Sequence, residues 1–138
     1  MLKNSVNIIG CGSIGRGLLH LLVTRTLVKA EHITALVKTK ESRKQCLALG
    51  ASSHCIDLDN GSEQLPDSLS MRQSIVYYFT PPPAQGTEDS RVRHFIAQLG
   101  EQYPARVVLI STTGVYGHCY GQWVNEDKPV NPEVDRAW

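Results

Sequence analysis

The sequence predicts an α/β chain, a doubly wound parallel sheet of about five strands with helices on both faces. Short apolar runs alternate with longer amphipathic ones, the pattern of successive strand–helix–strand units. Two runs, Ser74 to Phe79 and Arg106 to Ser111, are apolar almost throughout, which suits strands buried on both faces. A glycine-rich turn joins the first strand to the first helix, and right-handed crossovers then leave few topologies.

The elements follow in order. Val6-Asn7-Ile8-Ile9 is a short apolar run ending in glycines and reads as a strand. From Ser13 to about Lys29, Ile14, Leu18, Leu21, Leu22 and Val28 recur at helical spacing, with Arg16 and Arg25 on wetter faces. His32 to Val37 is rich in β-branched and apolar residues, a second strand. Glu41 to Leu49 reads as a helix stopped by Gly50. Ser53 to Leu58 is a third strand, and Asp59-Asn60-Gly61-Ser62 is turn chemistry. Glu63 to Met71 has no clear period, and Leu65-Pro66-Asp67 argues against a continuous helix. Ser74 to Phe79 is the fourth strand. Val92, Phe95, Ile96 and Leu99 predict a helix over Ser90 to Leu99, before Gly100. Arg106 to Ser111 is a further buried strand. After Gly114 the residues turn to Gly, Tyr, Trp, Asn, Asp and Pro, loop material of the kind that often carries function.

Composition narrows the partners. At 138 residues the chain is expected to form one domain, 1–138, with a core that needs no covalent staples. Hydrophobic residues make up 41% and charged residues 20%, which excludes a disordered chain. Lys+Arg 14 against Asp+Glu 13 leaves a net charge of +1, so neither nucleic acid nor a membrane surface is expected as a partner. No apolar stretch approaches the ~18–20 residues that span a bilayer. Met1 to Val23 does not read as a signal peptide, because Arg16 and His20 interrupt it and no small-residue cleavage site follows. The four cysteines, Cys11, Cys46, Cys55 and Cys119, lie far apart. They read as reduced thiols of a cytoplasmic protein, without a disulfide framework or a metal set.

Gly10-Cys11-Gly12-Ser13-Ile14-Gly15 matches GxGxxG, after a predicted strand and at the opening of a predicted helix. In a Rossmann unit the first glycine makes the tight turn, the second lets backbone approach a pyrophosphate, and the third lets helix and strand pack closely. The N–H groups at Ser13 and Ile14 then face the phosphates. The alternative is a glycine turn that binds nothing; a P-loop is excluded, since no Gly-Lys-Ser/Thr follows. An NAD site would place an acidic residue at the end of the second strand. Here Lys38 and Lys40 stand there, with Arg43 and Lys44 following, which favours NADP over NAD; the alternative is a solvated helix entry. Glu31 lies at the wrong end of that strand. Asp57, ending the third strand, either reaches an adenine amino group or shapes a turn.

Ser111-Thr112-Thr113-Gly114-Val115-Tyr116-Gly117 closes the last strand, beyond the carboxyl ends where open α/β sheets place ligands. Its hydroxyls either bond a substrate oxygen or form an ST-turn with Tyr116 packed. Cys11, near a helix N-terminus, is either an activated thiol or a small residue fitted beside a cofactor. His20 and His94 read as packing or surface residues, and His118 and Cys119 as lining a pocket mouth. Pro81-Pro82-Pro83 stiffens the loop after the fourth strand, unless it serves as an exposed proline motif.

The glycine motif, the strand order, Ser111 to Gly117 and Trp123-Val124-Asn125-Glu126-Asp127-Lys128-Pro129-Val130-Asn131-Pro132 together resemble the extended short-chain dehydrogenase/reductases. More narrowly, the chain is similar to the atypical NAD-dependent epimerase/dehydratase-like proteins. The resemblance covers essentially the whole chain and is most specific over Ser111 to Pro132. It implies an NAD(P)-dependent epimerase, dehydratase or oxidoreductase acting on a nucleotide sugar or another small hydroxyl or carbonyl substrate. It implies Thr112 as the active-site hydroxyl, with Thr113 and Tyr116 on the substrate side. Phe79, Thr80 and Pro81 fall where the nicotinamide-side ribose passes. Two departures stand out. The family's Tyr-x-x-x-Lys motif is absent: Arg136 takes the tyrosine's place and the lysine would fall past Trp138. A guanidinium stays protonated and cannot shuttle the proton, though it can bind an anionic substrate. The glycine spacing is also GxGxxG rather than GxxGxxG. The chain is therefore expected to stop before the catalytic helix and substrate region, and these 138 residues alone to be inactive. A homo-oligomer is possible. The rivals are a non-catalytic dinucleotide sensor and a fragment that binds nothing tightly.

Overall fold

The computed structural model describes residues 4–137, and of Arg136 the backbone alone. Five strands form one parallel sheet: β1 (Val6–Ile9), β2 (Ile33–Val37), β3 (Ser52–Cys55), β4 (Ile75–Tyr78) and β5 (Arg106–Leu109). Their order across the sheet is β3-β2-β1-β4-β5. Three helices connect them: α1 (Ser13–Thr24), α2 (Lys40–Ala48) and α3 (Ser90–Ala97). β1 pairs with β2 from Val6↔Ile33 and with β4 from Val6↔Ile75. All five strands therefore end at the same edge.

Strand alternation sorts the apolar residues onto two faces. Val6, Ile8, Ile33, Ala35 and Val37 pack with Leu19 and Leu22 of α1 and Cys46 of α2. Ile9, Leu36, Val76 and Tyr78 pack on the other face with Phe95 of α3, Leu69 and Met71. The β3-to-β4 crossover has no helix over Glu63 to Met71. Side chains satisfy part of its backbone instead. The Leu65 and Met71 N–H groups donate to Gln98 Oε1 (2.6 Å) and Gln102 Oε1 (3.0 Å). Asn7, buried in β1, donates to Ser70 O at 2.9 Å and Ser74 Oγ at 3.1 Å, tying the crossover to the sheet.

Element ends shift by a few residues from the sequence reading, and three differences matter most. α1 stops at Thr24 rather than about Lys29, because Thr26 takes a left-handed φ of 51°. Leu27 N–H turns back to Leu22 O, so Val28 reaches the core from a turn. β3 ends at Cys55, three residues short of Leu58. The third difference is a correction: β5 is not buried. Val107 is 55% and Leu109 60% exposed. β5 is the edge strand, α3 packs Phe95 against Tyr78 of β4 (ring centroids 5.4 Å apart), and the segment after β5 is loop and 3-10 turn rather than a covering helix. Among the described residues no helix is long and apolar enough to cross a membrane.

The contrast makes a test. Leu36→Ala, at a fully buried site, is expected to cost about 2–5 kcal/mol. Leu109→Ala is expected to stay within about 0.5 kcal/mol. Urea unfolding of the two variants measures both.

Candidate functional site

In the order β3-β2-β1-β4-β5 the winding reverses between β1 and β4, and a crevice opens beyond the strand ends there. The glycine turn enters it from β1. Gly10 has a φ of +81°, and its N–H and that of Cys11 both donate to Leu36 O, at 3.0 and 2.9 Å. A Cβ on Gly10 would overlap the Thr80 backbone. Gly15 lies against Ile8 and Cys11, where a Cβ would stand 3.2 Å from Ile8 Cγ2. Gly12 differs: a Cβ there would meet only Gly10 O, at 4.0 Å. Gly12 also caps α1 without a side-chain hydrogen bond, so the first-turn N–H groups of α1 are free of side-chain partners. Ser13 and Ile14 open the helix with exposed side chains.

A cleft of about 320 Å³ runs from this turn across the ends of β2, β3 and β4. Gly10, Gly12, Lys38, Asp57, Phe79, Thr80 and Pro81 all line it. Ser13, Ile14 and Gly15 are not among its lining residues. Leu36, Val37, Ile56 and Leu58 give it an apolar floor, and Thr39 and Ser42 edge it. Thr39 caps α2, accepting from Ser42 N–H at 3.2 Å. Of the four cations clustered after β2, Lys38 alone lines the cleft; Arg43 Nε turns to Ser53 O at 2.8 Å.

Two further lining residues, Asp59 and Arg91, were not singled out as site residues from the sequence. Lys38 Nζ stands 3.1 Å from Asp57 Oδ2 and 3.0 Å from Asp59 Oδ2. Arg91 forks onto Asp59, Nε to Oδ1 at 2.6 Å and Nη2 to Oδ2 at 2.8 Å, while its Nη1 donates to Pro81 O at 2.8 Å. The Arg91 guanidinium first, and the Lys38 ammonium second, hold the Asp59 carboxyl well below the usual carboxylate range. The spacing Asp57-x-Asp59 after a strand was the available signal. Arg91 is brought in only by the packing of α3.

The residues after β5 form a separate cluster. Thr112 precedes the 3-10 turn Thr113–Tyr116, and its Oγ1 accepts from Gly114 N–H at 3.1 Å. Thr113 is exposed and Tyr116 half-buried. The segment beyond folds back on this turn: Asn131 N–H donates to Val115 O and His118 N–H to Glu133 Oε1, both at 2.8 Å. None of Thr112, Thr113 and Tyr116 is among the residues lining the cleft. The Arg136 side chain lies outside the described residues. Asp135 Oδ2 accepts from Gly86 N–H at 2.8 Å, joining this cluster to the loop after β4.

Burial holds a phenol and a thiol near the cleft in their neutral forms. Burial pushes the Tyr78 phenol up, out of the range for proton transfer near neutrality. Cys11 is fully buried with its Sγ 3.6 Å from Cys46 Sγ; burial first and Cys46 second push its thiol up to about 12.

No family model matches the chain, and no curated protein matches it. Solved structures do. A protein of unknown function from Silicibacter pomeroyi is 24% identical with a TM-score of 0.68, over 98% of this chain and 44% of that one. A protein from Methylobacillus flagellatus, provisionally assigned as an NAD-dependent epimerase/dehydratase, is 21% identical with a TM-score of 0.65, over 99% of this chain and 47% of that one. The chain thus spans less than half the length of these neighbours. The likeness agrees with the strand order: the fold is a Rossmann-like α/β fold.

Gly10→Ala is expected to lose about 1–3 kcal/mol, the cost of forcing the overlap with Thr80; thermal or urea unfolding reads this. At pH 8 iodoacetamide is expected to alkylate exposed Cys55 and to spare Cys11, whose thiolate is scarce that far below about 12. Mass spectrometry of the labelled peptides checks it.

Proposed function

We propose that this chain holds a nicotinamide dinucleotide, NADP(H) ahead of NAD(H), as the cofactor part of an epimerase-, dehydratase- or reductase-type protein. One observation carries the reading: of the motif's three glycines, Gly10 and Gly15 are enclosed by protein while Gly12 faces open space at a helix N-terminus. No neighbouring atom crowds a Cβ at that position, so packing does not call for glycine there, and a pyrophosphate approaching the backbone does. The residues fit the rest of such a cofactor. The apolar floor of Val37, Ile56 and Leu58 suits an adenine ring, with Asp57 beside it for the amino group. Lys38 stands where a 2′-phosphate would come. Phe79, Thr80 and Pro81 continue the cleft toward the nicotinamide side.

When bound, such a cofactor supplies a hydride acceptor or donor. The chain's own part is to hold it. Gly12 and the backbone at Ser13 and Ile14 take the diphosphate charge, and Gly15 keeps α1 close to β1. On the substrate side, the Thr112 hydroxyl, whose oxygen already accepts from Gly114, has its proton free to donate to a substrate oxygen. Thr113 and Tyr116 flank it. The substrate we infer is a small hydroxyl or carbonyl compound such as a nucleotide sugar. The neighbour provisionally assigned as an NAD-dependent epimerase/dehydratase supports the nicotinamide cofactor. The four unbridged cysteines agree with a reducing, cytoplasmic setting.

Fluorescence titration of NADPH and NADH against variants tests the assignment. Gly12→Asp is expected to abolish binding of both, by setting a carboxylate against the pyrophosphate; unchanged affinity would remove the phosphate loop. Lys38→Glu is expected to weaken NADPH roughly ten- to hundredfold more than NADH, the scale of a lost hydrogen bond to a charged group. Equal losses would remove the 2′-phosphate assignment.

A further inference from the structure

We propose that Asp59 sets how sharply this site distinguishes NADP(H) from NAD(H), acting as a counter-charge to Lys38; this rests on the dinucleotide reading above. The end of β2 lacks the carboxylate that a ribose diol would need, and the fold brings one to that place from after β3. Asp59 Oδ2 stands 3.0 Å from Lys38 Nζ, and both residues line the cleft. The carboxylate is not free to swing away. Arg91 grips both of its oxygens, at 2.6 and 2.8 Å. Arg91 is itself anchored on Pro81 O, and its side chain is only 21% exposed. The Asp59 N–H donates to Asp57 Oδ1 at 3.0 Å, which anchors the Asp57 carboxylate as well, and both carboxylates meet Lys38 Nζ. Lys38, by contrast, is 60% exposed on a long flexible stem. Lys38 is the more exposed partner of this pair, and Asp59 is the one held by a second, anchored cation.

That asymmetry decides the selectivity. Lys38, Arg91, Asp57 and Asp59 together carry no net charge, so the cluster attracts a phosphate dianion weakly. A 2′-phosphate gains Lys38 only by drawing it off Asp59, and it then stands beside two anchored carboxylates. A ribose diol meets no such opposition, because its hydroxyls can donate to a carboxylate oxygen. Asp59 therefore favours the diol and restrains the preference for phosphate that Lys38 provides. Its effect falls on the ratio of the two affinities, which a role in folding alone would not move.

The test is calorimetric titration of NADPH and NADH against the wild-type chain, Asp59→Asn and Asp59→Glu. Asp59→Asn is expected to raise the preference for NADPH over NADH roughly tenfold, the scale of one charge pair in a water-like dielectric. Asp59→Glu, which restores the charge, is expected to return the ratio toward wild type. Should Asp59→Asn not fold, Asp59→Ser removes the same charge while leaving an acceptor for Arg91, and is read identically. If the wild type binds dinucleotide and charge removal changes both affinities equally, the role of Asp59 is overturned and the dinucleotide reading stands. If the wild type binds neither, both are overturned.

Discussion

The site depends on the close approach of two chain segments at Gly10. The turn leaving β1 and the loop leaving β4 meet there, with the Thr80 backbone occupying the space a Cβ would fill. The strand order makes this meeting necessary: β1 is central, with β2 on one side and β4 on the other. Because both neighbours run parallel to β1, their ends arrive at the same edge, and the glycine turn is squeezed between them. Two hydrogen bonds to Leu36 O hold it toward β2, and Thr80 holds it from the β4 side. A backbone trapped in this way presents Gly12 and the start of α1 in a fixed position. Preorganisation of that kind lowers the cost of ordering a ligand.

Electrostatics complete what the backbone begins. The glycine turn offers partial positive charge from unpaired N–H groups, whereas the far end of the cleft is a balanced set of ion pairs around Asp59. The two ends suit different parts of one elongated anion, a diphosphate at one end and a nucleoside at the other. The salt bridges are partly exposed, so their worth to stability is small. Their significance lies in orientation: Arg91 binds the loops after β3 and β4 to each other through Asp59 and Pro81, holding the walls of the cleft at fixed separation.

Much of the fold was legible because it depends on local pattern. Val6 to Ile9 and Ser74 to Phe79 announce strands by composition, and Ser13 to about Lys29 announces a helix by period, though not its end. GxGxxG is legible because Gly10 and Gly15 answer local steric demands and Gly12 leaves the helix entry open. What failed to show was tertiary in origin. Arg106 to Ser111 reads like a buried strand, but burial depends on what packs over it, and α3 covers β4 instead. Thr26 ended α1 by a left-handed turn that no periodicity reports. Asp59 looked like turn chemistry because its partners, Lys38 and Arg91, are 21 and 32 residues away in the chain. Thr112 could be read as an ST-turn or as a substrate hydroxyl, and its bond to Gly114 N–H is compatible with both, since the turn uses the oxygen and leaves the proton.

The central claim is that the opening at Gly12 exists for a dinucleotide pyrophosphate. The most direct measurement is calorimetric titration of the 138-residue chain with NADPH and NADH side by side. The account predicts saturable one-to-one binding, in the micromolar range, with NADPH the tighter. A flat isotherm with both dinucleotides, on protein shown to be folded, would contradict it.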